Sequence, residues 1–536
     1  VILIDSLVLL VNDTVDEPAV PKIYTYLYFR TSKLGVLKMT EEFKHPTIGS
    51  IRGLAKDCLL QFLGVKYALL QDRFAEPELV SEYDGSTIDA TKVGPQALSD
   101  PLSCEAEYSV FQQSLPHQPF DISDRDCLHL TITIPREAKD LPVFIFIHGG
   151  SFTIGSNAWP QYDQTRLVRQ GVEMGMPFIG VGVNYRVGVP GFLTSAELRR
   201  AGYKPNNGIR DQRAALMWVQ RFISGFGGDP NKVTLAGQSA GAVSAMLHLA
   251  PSASLFSQLV LMSGSSFVIS PLPLPVAEGV YIIAVNALGM DGLSAEGRLK
   301  ALVEGDGKPL YKEIPSGLPL LPVVDDEVVL EAPDYTTLDL SATICPRLLI
   351  GDCRLDGHIL LNKDARVRQR FHESLVKTLG PVSAREVEET YGLTPDMPSE
   401  IVAKHIAEFM TDVGFFTPAV TIAKAWPVPS FLYHFNEPNT WDGPWKGEVT
   451  HCLEIVYLFQ NLNHKLTEEQ QSIAKRWAGA VIKFIRGAEP FPSCGSESDG
   501  MVFGPVEDIP RKIHKLNDRF GLDTLNRAMQ IFMQSK

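Results

Sequence analysis

Gly237-Gln238-Ser239-Ala240-Gly241 sets a serine hydroxyl between two glycines. A hydroxyl is a poor nucleophile at neutral pH. It needs a histidine to take its proton and a carboxylate to hold that histidine in one tautomer. Where the serine lies between a strand and a helix, its partners follow along the chain in the order acid, then histidine. For the acid, Gly351-Asp-Cys-Arg-Leu-Asp356-Gly357 offers Asp356, placed before a glycine that lets the loop turn; Asp352 is the nearer rival. Geometry rather than position decides between them. Seven histidines follow, and His451, in Gly447-Glu-Val-Thr-His451-Cys-Leu-Glu454, is the candidate base. It stands between a strand-like run and an amphipathic helix, whereas His434 falls within the strand and reads as packing. An oxyanion needs backbone N–H donors, and His148-Gly149-Gly150-Ser151-Phe152 can bend to aim them. Ala240, at a helix start, supplies a further N–H where the dipole favours negative charge.

These residues need a sheet to hold them. Val233-Thr-Leu-Ala236 reads as a short buried strand, and Ala240-Gly-Ala-Val-Ser-Ala-Met-Leu247 opens a helix after the serine. Gly237 and Gly241 let the two cross closely. Leu141–Ile147, Phe178–Val183, Leu259–Met262 and Arg347–Ile350 repeat the near-continuous apolar signature of strands buried on both faces. Between them, Ala215, Leu216, Val219, Phe222, Ile223 and Phe226 recur at helical spacing within 211–226. Alternation of this kind predicts an α/β fold with a mostly parallel sheet covered on both sides. Residues 48–65 predict antiparallel edge hairpins, and 95–125 a long surface excursion. Residues 265–345 and 360–430 predict helices and loops that cap the sheet and shape the pocket. An N-terminal extension over 1–45 is expected to precede one domain over 46–536.

Composition narrows the classes. Of 536 residues, 45% are hydrophobic and 21% charged, ordinary for a globular chain. A net charge of −13 without a Lys/Arg block argues against nucleic-acid or anionic-membrane partners. No apolar run reaches membrane-span length. Seven scattered cysteines give neither a disulfide framework nor metal spacing, and no organic cofactor is implied. Val1–Val11 resembles a short signal core, yet it lacks a basic leader and contains Asp5. The one sequon is Asn12-Asp-Thr14. The sequence carries no signal for oligomeric state.

A longer series of segments resembles the type-B carboxylesterase family, the cholinesterase/lipase group of α/β-hydrolases. It includes Phe62-Leu-Gly-Val-Lys-Tyr-Ala68, Asp126-Cys-Leu128, Asn184-Tyr-Arg-Val-Gly188, Asn207-Gly-Ile-Arg-Asp-Gln212, Phe226–Gly241 and Ser263-Gly-Ser265. The resemblance implies an α/β-hydrolase fold with long cap insertions. It implies a serine carboxylic-ester hydrolase working through an acyl-enzyme: nucleophile Ser239, acid Asp356, base His451, and donors Gly150, Ser151 and Ala240. Ser263 is similar to the family's buried serine near the triad, and Arg186 with Asp211 to its internal ion pair. Gln238 stands where the family usually has Glu, Asp356 where Glu is commoner, Ser151 at a usual Gly or Ala position, and Cys452 where Gly is usual. Cys127 matches a family disulfide cysteine, but its usual partner position near Gly94–Leu98 holds none. Cys104 is a substitute, or the thiol is free; loss of that framework tilts toward a reducing compartment such as the cytoplasm. No tryptophan falls between Asp72 and Asp126, where the cholinesterases keep their choline-binding one, so a neutral ester is the expected substrate. The alternatives are a lipase, lactonase or acyltransferase with the same triad, or a non-catalytic cholinesterase-like binding module.

Overall fold

The computed structural model describes residues 2–4, 7–9, 39–249, 255–331, 347–361, 366–394, 396–495, 500–506 and 512–534. Part of the leader-like start, the sequon, most of the expected N-terminal extension, and residues 332–345, 362–365 and 395 of the capping segments lie outside them. The chain divides into units Val1–Met39 and Thr40–Lys536. In the first, Ile2–Ile4 pairs antiparallel with Leu7–Leu9.

In the second unit one large sheet carries the site. Apart from the short strand Ile88–Asp89, which pairs with Gly49–Lys56 off the main path, its strands are β1 (Thr40–His45), β2 (Gly49–Lys56), β3 (Leu59–Lys66), β4 (His129–Pro135), β5 (Leu141–Ile147), β6 (Ile179–Val183), β7 (Gly228–Gln238), β8 (Gln258–Met262), β9 (Arg347–Cys353), β10 (Ser430–Phe435) and β11 (Met501–Phe503). Their spatial order is β11-β10-β9-β8-β7-β5-β6-β4-β3-β2-β1. Neighbours from β11 to β6 are parallel, and β4, β3, β2 and β1 add an antiparallel edge. Because β1 begins at Thr40, the sheet starts inside the stretch expected to be an extension.

Every residue of Leu141–Ile147 is buried, which is why β5 reads as an unbroken apolar run: helices cover both faces of a parallel sheet. Apolar side chains from alternate positions feed two different cores, Val143, Ile145 and Ile147 on one face and Phe144 and Phe146 on the other. The predicted helix over 211–226 runs from Asn207 to Phe222 and tightens into a 3-10 turn over Ile223–Phe226. It buries Asp211, which receives two bonds from the Arg186 guanidinium at 2.7 and 2.8 Å. Carbonyls of Arg73 and Ala75 accept from the remaining guanidinium nitrogen. With both side chains almost wholly buried, either charge alone would be costly, and the bidentate geometry is what makes the pair tolerable.

Most of 95–125 is exposed or partly so, as a surface excursion would be, but the segment also holds helix α1 (Ser103–Phe111), whose Cys104, Tyr108 and Phe111 enter the second core and whose Glu107 is buried. Its polar composition reflects the flanking loops, while the helix inside is anchored by few but large contacts. A third core lies among Val367–Leu379, Pro381–Thr390, Ser399–Thr411 and Leu522–Gln534. The helical stretch Ser399–Ala425 is long and apolar enough to cross a membrane, yet most of it is buried inside this protein.

Candidate active site

Parallel strands deliver the candidate residues to one end of the sheet. The turns after β5, β7 and β9 and the loop beyond β10 all lie at carboxyl ends, where open α/β sheets place their crevice. β7 stops at Gln238 and helix α2 (Ala240–Leu247) begins at once, leaving Ser239 alone at the corner with φ 55° and ψ −125°. That conformation costs a non-glycine residue about 1–3 kcal/mol. It persists because Ser239 N–H donates to Met262 O at 2.9 Å, while its carbonyl accepts from Ala242 and Val243. A Cβ on Gly237 would lie 2.1 Å from the carbonyl oxygen of Gly241, and one on Gly241 equally close to that of Ile147. Only glycine permits this crossing of strand and helix. Ser239 is partly exposed, whereas Gln238 and Ala240 are buried.

The loop after β5 runs close to that corner: a Cβ on Gly149 would sit 3.0 Å from Cβ of Ser239. Gly150, Ser151 and Phe152 all take positive φ, 103°, 54° and 62°. The carbonyl of Gly150 accepts from Thr153 and Ile154, which closes the turn. Among the described residues, no acceptor takes the N–H of Gly150, Ser151 or Ala240. Behind the loop, His148 stacks on Tyr185 at 4.4 Å, and burial pushes its imidazole down to about 4, so it is neutral.

Asp356 and His451 meet because their loops are in register. Leu355 bridges to Thr450, with Leu355 N–H donating to Val449 O at 2.9 Å. One residue further along each loop, His451 Nδ1 lies 2.7 Å from Asp356 Oδ1. The other carboxylate oxygen accepts the Cys353 N–H at 2.7 Å. Asp352, the rival acid, faces away: its Oδ1 lies 2.5 Å from Nδ1 of His434, the strand histidine. Nε2 of His451 faces the side-chain amide of Gln238 at 3.2 Å, and Phe415 meets the ring edge-on at 5.5 Å. Burial pushes the imidazole below its ordinary value, to about 4, against the opposing pull of Glu454 and Glu107. Cys452 takes a left-handed conformation, φ 66°, which fits a position where glycine would be cheaper.

Some groups around the site were not singled out from sequence. Glu454, three residues past His451 on helix α3 (Leu453–Phe459), is wholly buried. Burial, with Asp356 nearby, raises its carboxyl to about 7. The Cys353 thiol donates to its Oε2 at 2.7 Å. An acid inside Leu453-Glu-Ile-Val-Tyr-Leu-Phe459 is the signal that could have found it. Glu107 on α1 accepts from Gln161 Nε2 and Tyr162 OH at 2.9 and 2.8 Å, and burial raises its carboxyl too. Ser263 is buried with φ 47°, its N–H on Gly351 O. Cys104 and Cys127 are both free thiols, so the substitute disulfide does not form.

The sequence profile of the carboxylesterase family matches residues 41–519. The chain belongs to the carboxylesterase family. The chain is a carboxylic ester hydrolase. It is 30% identical over 478 residues to the para-nitrobenzyl esterase of Bacillus subtilis (strain 168), covering 84% of this chain and 91% of that one. It is 29% identical to the cholinesterase of Mus musculus, covering 86% and 81%. A solved PNB esterase superposes with a TM-score of 0.71 at 26% identity, over 89% of this carboxylesterase and 99% of that chain.

Proposed function

We propose that this carboxylesterase cleaves neutral esters through an acyl-enzyme on Ser239. The observation that carries the reading is the buried Asp356–His451 pair, set against Gln238, the residue before a serine in a strained turn. Asp356 keeps the ring proton on Nδ1, so Nε2 presents a lone pair. His451 then takes the hydroxyl proton as Ser239 Oγ adds to the ester carbonyl, and negative charge gathers on the former carbonyl oxygen. N–H groups of Gly150, Ser151 and Ala240 receive that oxyanion, each contributing about 3–4 kcal/mol to the transition state. His451 passes its proton to the departing alcohol. Water, deprotonated by the same nitrogen, attacks the acyl carbonyl and releases the acid with Ser239 restored. The neutral Gln238 beside the base places no negative charge there to favour a cationic substrate.

The test is intact-mass spectrometry of the enzyme after brief exposure to p-nitrophenyl esters or a fluorophosphonate. One acyl or phosphonyl group on Ser239, absent in Ser239→Ala together with hydrolysis, is expected. Full esterase activity in Ser239→Ala would refute the reading.

A further inference from the structure

The side chain of Gln238 is wholly buried and held by two contacts that agree on its orientation. Its Nε2 lies 3.2 Å from Nε2 of His451, and its Oε1 lies 3.3 Å from the Cys452 sulfur. With Asp356 fixing the ring proton on Nδ1, the facing imidazole nitrogen has only a lone pair, which the amide N–H can satisfy. The Cys452 thiol in turn can donate only to the amide oxygen. A Cβ on Gly149 would sit 2.9 Å from that oxygen, so the nucleophile-side loop closes the third side.

We propose that Gln238 is a positioning residue for His451: in the resting enzyme its amide occupies the nitrogen that has to take the Ser239 proton, and it yields that nitrogen when an ester engages. This inference rests on the functional reading above. A glutamine suits the task because it answers both charge states of the ring. Towards neutral imidazole it donates; turned over, its oxygen accepts from imidazolium, and its N–H then meets the weakly accepting sulfur of Cys452. A carboxylate at this place would favour the imidazolium and raise the pH at which the base becomes neutral. The other ionisable groups facing the ring are Asp356 from the turn after β9, Glu454 on α3, Glu107 on α1, and Cys452 beside it; Nδ1 of His358 faces its backbone N–H at 3.4 Å, and Phe415 faces the ring without charge. Gln238 is the neutral member that contacts Nε2.

The test has two arms. In Gln238→Glu, the acid limb of kcat/KM on a p-nitrophenyl ester should move to higher pH by roughly 1–3 units, the effect of an opposite charge at this distance. In the second arm, protein labelled with 15N-histidine is compared by NMR with Gln238→Met, which keeps length but has no N–H. The His451 Nε2 resonance, assigned with His451→Gln, should move toward that of an unbonded imine nitrogen. Superimposable acid limbs in a folded Gln238→Glu, or an unmoved Nε2 resonance in Gln238→Met, would overturn the proposal. The NMR arm needs no turnover, so it decides even if Gln238→Glu does not fold. A Ser239→Ala variant that kept full activity would count against the functional reading alone.

Discussion

Replacing Asp356 with asparagine should silence the enzyme by a route the geometry specifies. The two carboxylate oxygens meet two different donors, the His451 Nδ1–H at 2.7 Å and the Cys353 backbone N–H at 2.7 Å. An asparagine has one oxygen for these two places. If its NH2 faced Cys353, two N–H groups would oppose each other in a buried site, at a cost of about 1–3 kcal/mol for each unsatisfied donor. If its oxygen stays on Cys353, the NH2 faces Nδ1, and the ring can accept it by moving its own proton to Nε2. The second arrangement satisfies the groups that meet residue 356, with Gln238 turning its amide oxygen toward the new Nε2–H. It also removes the lone pair that must take the Ser239 proton. A base held in the wrong tautomer costs on the order of 10⁴ in kcat, about 5 kcal/mol. The assay is steady-state hydrolysis of a p-nitrophenyl ester at pH 7, with active sites counted by fluorophosphonate labelling and folding checked by thermal melting. Asp356→Ala, which leaves the tautomer free, should retain more activity than Asp356→Asn at that pH. A folded Asp356→Asn within tenfold of the wild type would refute the reasoning.

Three further outcomes are expected. Gly150→Ala should lower kcat by roughly 10²–10³, because its Cβ would lie 2.2 Å from the Ile154 carbonyl oxygen at φ 103° and displace the donor loop; an unchanged kcat would remove that loop from the oxyanion site. For pH, the base works only when neutral, and burial holds its folded value below the ordinary 6.5. Activity should therefore persist as pH falls through 6.5 and decline only at more acid values, and an acid limb of kcat/KM centred at or above 6.5 would contradict this. Asp211→Asn should destabilise the fold by about 3–5 kcal/mol in urea unfolding, since it leaves the buried Arg186 charge uncompensated; a loss under 1 kcal/mol would show that the pair is dispensable.

The legible part of this protein is the part whose physics is local in sequence. A strand covered on both faces has to be apolar at every position, so Leu141–Ile147 and Val233–Ala236 were visible without a structure. A serine at a strand-to-helix corner needs small neighbours, so Gly237 and Gly241 marked Ser239. Burial inside a polar-looking segment was not legible: α1 is anchored by Glu107, Tyr108 and Phe111 through contacts with distant residues such as Gln161 and Tyr162. Nor was the start of the sheet, since Thr40–His45 alternates exposed and half-buried residues, with only His45 buried, and is defined by its pairing with β2.

Residue types and their order along the chain were enough to name Ser239, His451 and two rival aspartates as candidates, because the chemistry of a weak hydroxyl demands those groups. Which aspartate meets the imidazole was settled in space: the bridge between Leu355 and Thr450 aligns two loops nearly a hundred residues apart, carrying Asp356 to His451 and leaving Asp352 to His434. The amide of Gln238 on Nε2, the Glu454 carboxyl behind the pair, and the unpaired thiols of Cys104 and Cys127 belong to the same kind of fact. Each depends on distances between side chains that no spacing along the chain encodes.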